Sequence, residues 1–223
     1  MLNAAVRYHP IVRFIKKKKP ETICEIGSGS NGLGEFLNVK FVGCDIEFSA
    51  RINKNMVPIK ADARRLPFPA NSFGLVFSLD TIEHIPAKDR KKVLEEMFRI
   101  SKKYVILGFP CDDAARDVDA EVNKFYDILG LKKPAWIDEH LTNVYPTSKD
   151  MYALLKKFKC SYKVMANGNL LFHKLVILVE SLPLIFLITN IFGKLFIRLP
   201  ETMVNFFNRG QAYRKIFYIE KAS

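Results

Sequence analysis

The sequence predicts an α/β fold: a seven-stranded, mostly parallel sheet with helices on both faces and a helical insertion before the last strand. Three observations predict it. Short apolar runs alternate with amphipathic stretches through the first half, as in a sheet covered on both faces. A glycine-rich turn follows the first apolar run, where strand passes into helix. The chain has 223 residues, 49% of them hydrophobic, which is enough core for one domain spanning 1–223 and excludes global disorder.

Residues 3–19 read as an amphipathic helix with Val6, Ile11, Phe14 and Ile15 on its apolar side, ended by Pro20. Residues 22–26 read as the first strand, with a helix starting over 33–38. Strands are expected at 41–44, 56–60, 73–79 and 104–109, the last stopped by Pro110. A helix over 87–100 puts Val93, Leu94, Met97 and Ile100 on one face. Beyond Pro110 the pattern loosens: residues 112–130 look helical and polar, and 131–146 loop-like, with Trp136, Glu139 and His140. Thr147 caps a helix running to about Lys159, with Asp150 three residues on completing a capping-box-like pattern. Strands at 161–165 and 215–220 complete the sheet.

Between these last two strands lies an apolar insertion, 168–210. The run from Leu175 to Gly193 nearly reaches bilayer-spanning length, but Glu180 and Pro183 interrupt it. A charge at mid-bilayer costs about 3 kcal/mol, and a chain that must rejoin the sheet cannot cross once. Three readings follow: helices forming a lid or a homo-oligomer contact, an enlarged core, or a segment dipping into one leaflet. In the last, residues 170–209 make a peripheral contact with an anionic membrane, with Lys174, Lys194, Arg198 and Arg209 meeting headgroups. Lid and membrane contact both suit an apolar or lipid-linked substrate.

The formal net charge of +12 asks for an anionic neighbour: nucleic acid, a membrane surface or a phosphorylated substrate. The four cysteines, Cys24, Cys44, Cys111 and Cys160, show neither metal-ligand spacing nor a disulfide framework. No metal site is expected. The N-terminus lacks a secretory signal pattern, and a reducing cytoplasm, with or without peripheral membrane contact, is the simplest setting.

The strongest motif is Cys24-Glu-Ile-Gly-Ser-Gly-Ser-Asn-Gly-Leu-Gly-Glu-Phe36. Gly27 and Gly29, flanking Ser28, let the backbone turn sharply and approach a ligand. Gly27, Gly29 and Gly32 spell G-x-G-x-x-G, so a Rossmann-like dinucleotide loop must be weighed. Charge separates the readings. A pyrophosphate would sit over this loop, and Glu25 would oppose it. The same carboxylate would suit the ammonium and sulfonium of S-adenosylmethionine. Asp45, 18 residues after Gly27, has the spacing of a ribose-binding acid, and Ile46 can cover one face of an adenine. Asp62 follows the third strand and can accept from the adenine amine, with the Ala63 backbone nearby. Three acids at three successive strand ends fall where such sheets bind ligands.

The run from Ala61 to Pro86 contains Asp62, then Leu66-Pro-Phe, Ser72-Phe73 and Glu83-His84-Ile85 in order. It resembles the type 11 group of class I methyltransferases over roughly residues 20–110, and residues 213–221 are similar to that family's final antiparallel strand. The resemblance implies a Rossmann-like fold, S-adenosylmethionine as methyl donor and S-adenosylhomocysteine as product. It also implies cofactor contacts from Glu25, Gly27, Asp45, Ile46, Asp62, Ala63 and Leu79, with Ser28 and Gly29 in the same loop. Two departures are visible: Asn31 replaces a common third glycine, and Gly74 replaces the usual Asp after Ser-Phe.

Methyl transfer is an in-line displacement, so alignment dominates and a base serves mainly hydroxyl or carbon acids. The candidate bases are Asp80, His84 and His140, of which His140 is a candidate loop histidine near Glu139. The acceptor is expected to be small or lipid-linked and methylated at oxygen. A base amino-methylating motif is missing from Ser78-Leu-Asp-Thr81, and Cys111 after Pro110 is a weak nucleophile signal, so nucleic acid is disfavoured. An RNA methyltransferase using the basic surface and a non-catalytic scaffold of the same fold remain as alternatives.

Overall fold

The computed structural model describes residues 2–182 and 185–222. Helix α1 (Leu2–Lys18) leads into β1 (Ile23–Ile26), β2 (Phe41–Asp45), β3 (Met56–Lys60) and β4 (Phe73–Leu79). Then follow α2 (Arg90–Ile100), β5 (Ser101–Pro110), α3 (Asp112–Ile128), α4 (Ala135–Thr142), α5 (Ser148–Leu155) and β6 (Cys160–Asn169). Helices α6 (Leu170–Glu180), α7 (Phe186–Phe196) and α8 (Glu201–Phe207) precede β7 (Ala212–Lys221). The seven strands form one sheet in the order β3-β2-β1-β4-β5-β7-β6. Strands β1 to β5 pair in parallel, and β7 runs antiparallel between β5 and β6.

Alternation along each strand splits the core between two faces. Val76, Val105, Leu107 and Phe217 pack against Val93, Leu94 and Met97 of α2 and against Met151 and Leu155 of α5. Leu75, Phe77, Ile106 and Ile216 meet Tyr8, Ile11, Val12 and Ile15 of α1 on the other side. The latter helix tolerates Pro10 and ends at Lys18, two residues before the proline that forbids continuation.

Four expectations change. Instead of a helix over 33–38, a single 3-10 turn spans Gly32–Glu35, because two glycines in that short stretch make a poor helix. The 131–146 segment is not all loop: α4 lies within it and buries only Ile137 and His140. The 3-10 turn at Ala87–Asp89 precedes α2, which starts at Arg90. Strand β6 runs on to Asn169, paired with Ala212, well beyond 165. The cap holds as expected: Thr147 Oγ1 accepts from the Asp150 N–H at 3.0 Å.

Strand β6 points the same way as β1 to β5, so α6 leaves from the sheet end that carries their C-termini. Helix α6 packs on α3 around Ile177, Val122 and Tyr126. Phe196 and Val204 pack against Ala5 and Val6 of α1. The outer sides stay bare: Leu171, Leu175 and Val179 on α6, and Ile188, Ile191, Phe192 and Leu195 on α7, are all exposed. Pro183 lies outside the described residues. Among the described residues no helix is long and apolar enough to cross a membrane. Lys174, expected to meet headgroups, is instead paired with Glu121 of α3.

Candidate active site

The sheet order reverses between β1 and β4, and the loops after these neighbours form the crevice where open α/β sheets bind ligands. Gly27 has φ +72°, and a Cβ there would lie 2.1 Å from Thr81 Oγ1, so the two loops touch only because residue 27 has no side chain. The Gly27 and Ser28 N–H groups both donate to the Cys44 carbonyl, at 2.8 and 3.2 Å. Gly29, at φ +54°, faces open space, and its N–H donates to Asp45 Oδ2 at 2.7 Å. Next to Asp45, Ile46 stands 68% exposed at the end of β2.

Glu25 departs from the expected open carboxylate. It is 1% exposed: Oε1 accepts from Tyr8 Oη at 2.5 Å and Oε2 from the Leu33 N–H at 2.7 Å. Burial raises its pKa to about 7 against the opposing pull of Tyr8, Leu33 and Arg7. The group therefore fastens α1 and the 3-10 turn to the loop, instead of projecting into the crevice.

Asp80 is corrected more strongly. Its backbone is left-handed at φ +48°, and its carboxylate accepts from Arg214 Nε at 2.5 Å, Arg214 Nη2 at 2.7 Å and Arg7 Nη1 at 3.0 Å. Burial alone would raise its pKa, but the guanidiniums of Arg214 and Arg7 hold it well below the carboxylate range. A carboxylate so held is no proton acceptor at neutral pH. Arg7 and Arg214 are site residues that sequence reasoning missed. The Arg7 Nε is buried without a hydrogen-bond partner.

The remaining cofactor candidates line the rest of the rim. Asp62 is gripped by Arg64, whose Nη2 lies 2.6 Å from its Oδ2, and this pairing lowers its pKa. Ala63 and Leu79 are buried, at 9% and 3% exposure, as supports under the loops. A groove of about 800 Å³ opens elsewhere, between α1, β6 and β7, and is lined by Arg13, Tyr104, Tyr162 and Tyr218 but by none of these loop residues.

The two histidines come together, with ring centroids 4.9 Å apart. The glutamate pairing goes to the other one: Glu139 Oε2 lies 2.6 Å from His84 Nδ1, whereas His140 Nδ1 bonds Asp119 Oδ2 at 2.8 Å. Burial, then the neighbouring His140, lower the pKa of His84. His140 is helical and 5% exposed, enclosed by Asp119, Tyr145 and Glu83. Asp119 also accepts from Tyr145 and Tyr213, a buried network joining α3, α4 and β7.

Two features of this crevice fit S-adenosylmethionine: an apolar side chain standing in water beside a ribose-spaced acid, and open space over a glycine loop. Together with the sheet order they give an α/β fold with a crevice over the ends of β1, β2 and β4 that would suit a nucleoside ligand. Residues 24–107 match the model of the methyltransferase domain family, so this part of the chain carries a methyltransferase domain. Magnesium protoporphyrin IX methyltransferase of Synechocystis, solved with S-adenosylhomocysteine bound, superposes with a TM-score of 0.58 at 12% identity, covering 99% of this chain and 84% of that one. An S-adenosylmethionine-dependent methyltransferase of Thermotoga maritima gives 0.56 at 17% identity over 97% and 91%. The plantazolicin methyltransferase, in complex with a desmethyl analogue and S-adenosylhomocysteine, gives 0.58 at 13% identity over 99% and 83%. No curated protein matches the chain in sequence.

Proposed function

We propose that the chain is a class I S-adenosylmethionine-dependent methyltransferase that acts on a small or lipid-linked acceptor, at oxygen, with the acceptor entering from a membrane surface. One observation carries the reading. The bare apolar sides of α6 and α7 belong to the segment that leaves the sheet at the end holding Gly27 and Asp80. Exposed apolar stripes of this kind mark a contact surface.

Within the crevice, Asp45 takes the ribose hydroxyls, Ile46 covers the adenine, and Asp62 with the Ala63 backbone takes the adenine amine. Gly27, Ser28 and Gly29 give backbone room for the methionine moiety, and the partly exposed Arg7 guanidinium meets its carboxylate. Glu25 sets the shape of that pocket through Tyr8 and Leu33. The cofactor supplies a methyl group on a cationic sulfur, and the chain aligns the acceptor with it. None of the three expected bases stands free. Asp80 is held by two arginines, His140 is sealed under Asp119, and His84, the most open of them, is paired with Glu139.

The test is an acceptor screen with radiolabelled S-adenosylmethionine, fractionating label between organic-soluble, aqueous and RNA products. Label in an organic-soluble or small polar ether or ester is expected. Label confined to RNA, or S-adenosylmethionine binding with no turnover on any fraction, overturns the reading in favour of an RNA enzyme or a scaffold.

A further inference from the structure

Beyond the end of β4, three side chains aim at one point. One ligand atom from each of Glu83, His84 and His140 lies within 4.8 Å of the others. Glu83 is 1% exposed, and neither of its carboxylate oxygens has a hydrogen-bond partner. An ionised carboxylate buried without a partner is strongly unfavourable, so this position is either neutralised or paired with something absent from the polypeptide.

The surroundings favour a cation. His140 Nε2 sits 3.8 Å from Glu83 Oε1, too far for a hydrogen bond and suited to two ligands on one ion. Its Nδ1 is fixed on Asp119 Oδ2 at 2.8 Å. A proton on Nδ1 leaves the Nε2 lone pair facing Glu83, the arrangement by which carboxylates orient metal-binding histidines. Tyr145 and Tyr213 donate to the same Asp119, so the supporting carboxylate is itself held. His84 has a carboxylate of its own, Glu139 at 2.6 Å.

The geometry points to a divalent cation site formed by Glu83, His84 and His140. Two imidazoles and one carboxylate suit zinc, cobalt or manganese better than magnesium or calcium, and three protein ligands leave coordination positions open. Neighbouring ligands of a tetrahedral ion stand about 3.3 Å apart, so the widest pair closes by roughly an ångström or more on binding. The site follows β4 directly, on the loop that also carries Asp80 and Thr81. A cation held by Glu83, His84 and His140 would acidify an acceptor hydroxyl reaching an open position, and the proton would pass to water. The acceptor oxygen then bonds the methyl carbon while the carbon–sulfur bond breaks, its electron pair staying on sulfur to give S-adenosylhomocysteine. This last role rests on the proposed O-methylation, whereas the cation site itself does not.

The test reads binding without cofactor or acceptor. Equilibrium dialysis of the tag-free full chain with Co²⁺ and Zn²⁺, and the visible spectrum of the Co²⁺ form, are compared for wild type, Glu83→Gln and His140→Asn. Wild type is expected to bind one cation per chain with a rise in melting temperature, and both variants to lose at least about tenfold in affinity. Glu83→Gln removes an unpaired buried charge and keeps the volume, so it is expected to melt no lower than cation-free wild type. Absence of binding by wild type, or equal affinity in a folded Glu83→Gln protein, overturns the site. A bound cation with no hydroxyl acceptor found would leave the site standing and overturn only the O-methylation reading.

Discussion

Glu25 joins three parts of the molecule through two oxygens, and the cost of burying it makes the apo protein sensitive to pH. A carboxyl whose pKa is raised on folding stabilises in full below its unfolded value of 4.5 and loses that contribution as pH rises through about 7. The difference amounts to roughly 3 kcal/mol. Denaturant melts of the apo chain are expected to show lower stability at pH 8 than at pH 5. Glu25→Gln, which mimics the protonated group, should flatten most of that slope; an unchanged slope would show that Glu25 stays ionised across the range. Arg7 gives a second prediction at this scale. Arg7→Gln is expected to weaken S-adenosylmethionine binding about tenfold or more by calorimetry, while 5′-methylthioadenosine, which lacks the carboxylate, binds with unchanged affinity. The placement of Gly27, Asp45 and Ile46 at strand ends was legible in the sequence because that loop geometry is local, whereas the burial of Glu25 against Tyr8 was not. Arg7 was not, because its bond to Asp80 spans 73 positions and nothing local marks one arginine of a basic helix as the one that folds over the loop.

Between elements, the Asp80 clamp binds the end of β4 to the start of β7 across β5 and reaches up to α1. Arg214 is 1% exposed, so removing the carboxylate leaves buried positive charge without a counterion. Asp80→Asn is expected to cost about 3–5 kcal/mol in a denaturant melt. Thr147→Ala removes one cap of an eight-residue helix and is expected to cost about 1 kcal/mol. The contrast ranks the two: a long-range ionic tie outweighs a local cap. Element legibility follows the same division. Strands β1, β2, β4 and β5 announce themselves as short, largely buried apolar runs, and helix α2 by its periodic buried face. Helix α4 buries two residues in eight, too few for a 3.6-residue period to show against a loop. The extension of β6 to Asn169 depends on its partner β7 rather than on its own polar sequence Ala166-Asn-Gly-Asn169.

For the whole molecule, charge and apolar surface act at different ranges. The net charge of +12 attracts any anionic surface over roughly a Debye length, about 8 Å at physiological salt, but it does not anchor the chain there. The α6 and α7 stripes act only on contact, and their apolar area is insensitive to salt. Lys174 is spent on Glu121, which leaves Lys194, Arg198 and Arg209 as the basic groups of the insertion to consider at headgroups. Both effects together are expected to float the protein with phosphatidylglycerol vesicles but not with phosphatidylcholine, and 1 M salt should release most of it by cutting the screening length to about 3 Å. Ile191→Asp with Leu195→Asp lies on the bare side of α7 and leaves the net charge strongly positive. If the apolar stripe inserts, this variant loses flotation even at low salt while its melting temperature holds. If the stripe instead joins two copies, wild type elutes as a dimer that the same variant splits, and flotation is absent for both. A variant that floats like wild type would mean that charge alone holds the protein to the vesicle, and a membrane route for the acceptor would then lose its structural support.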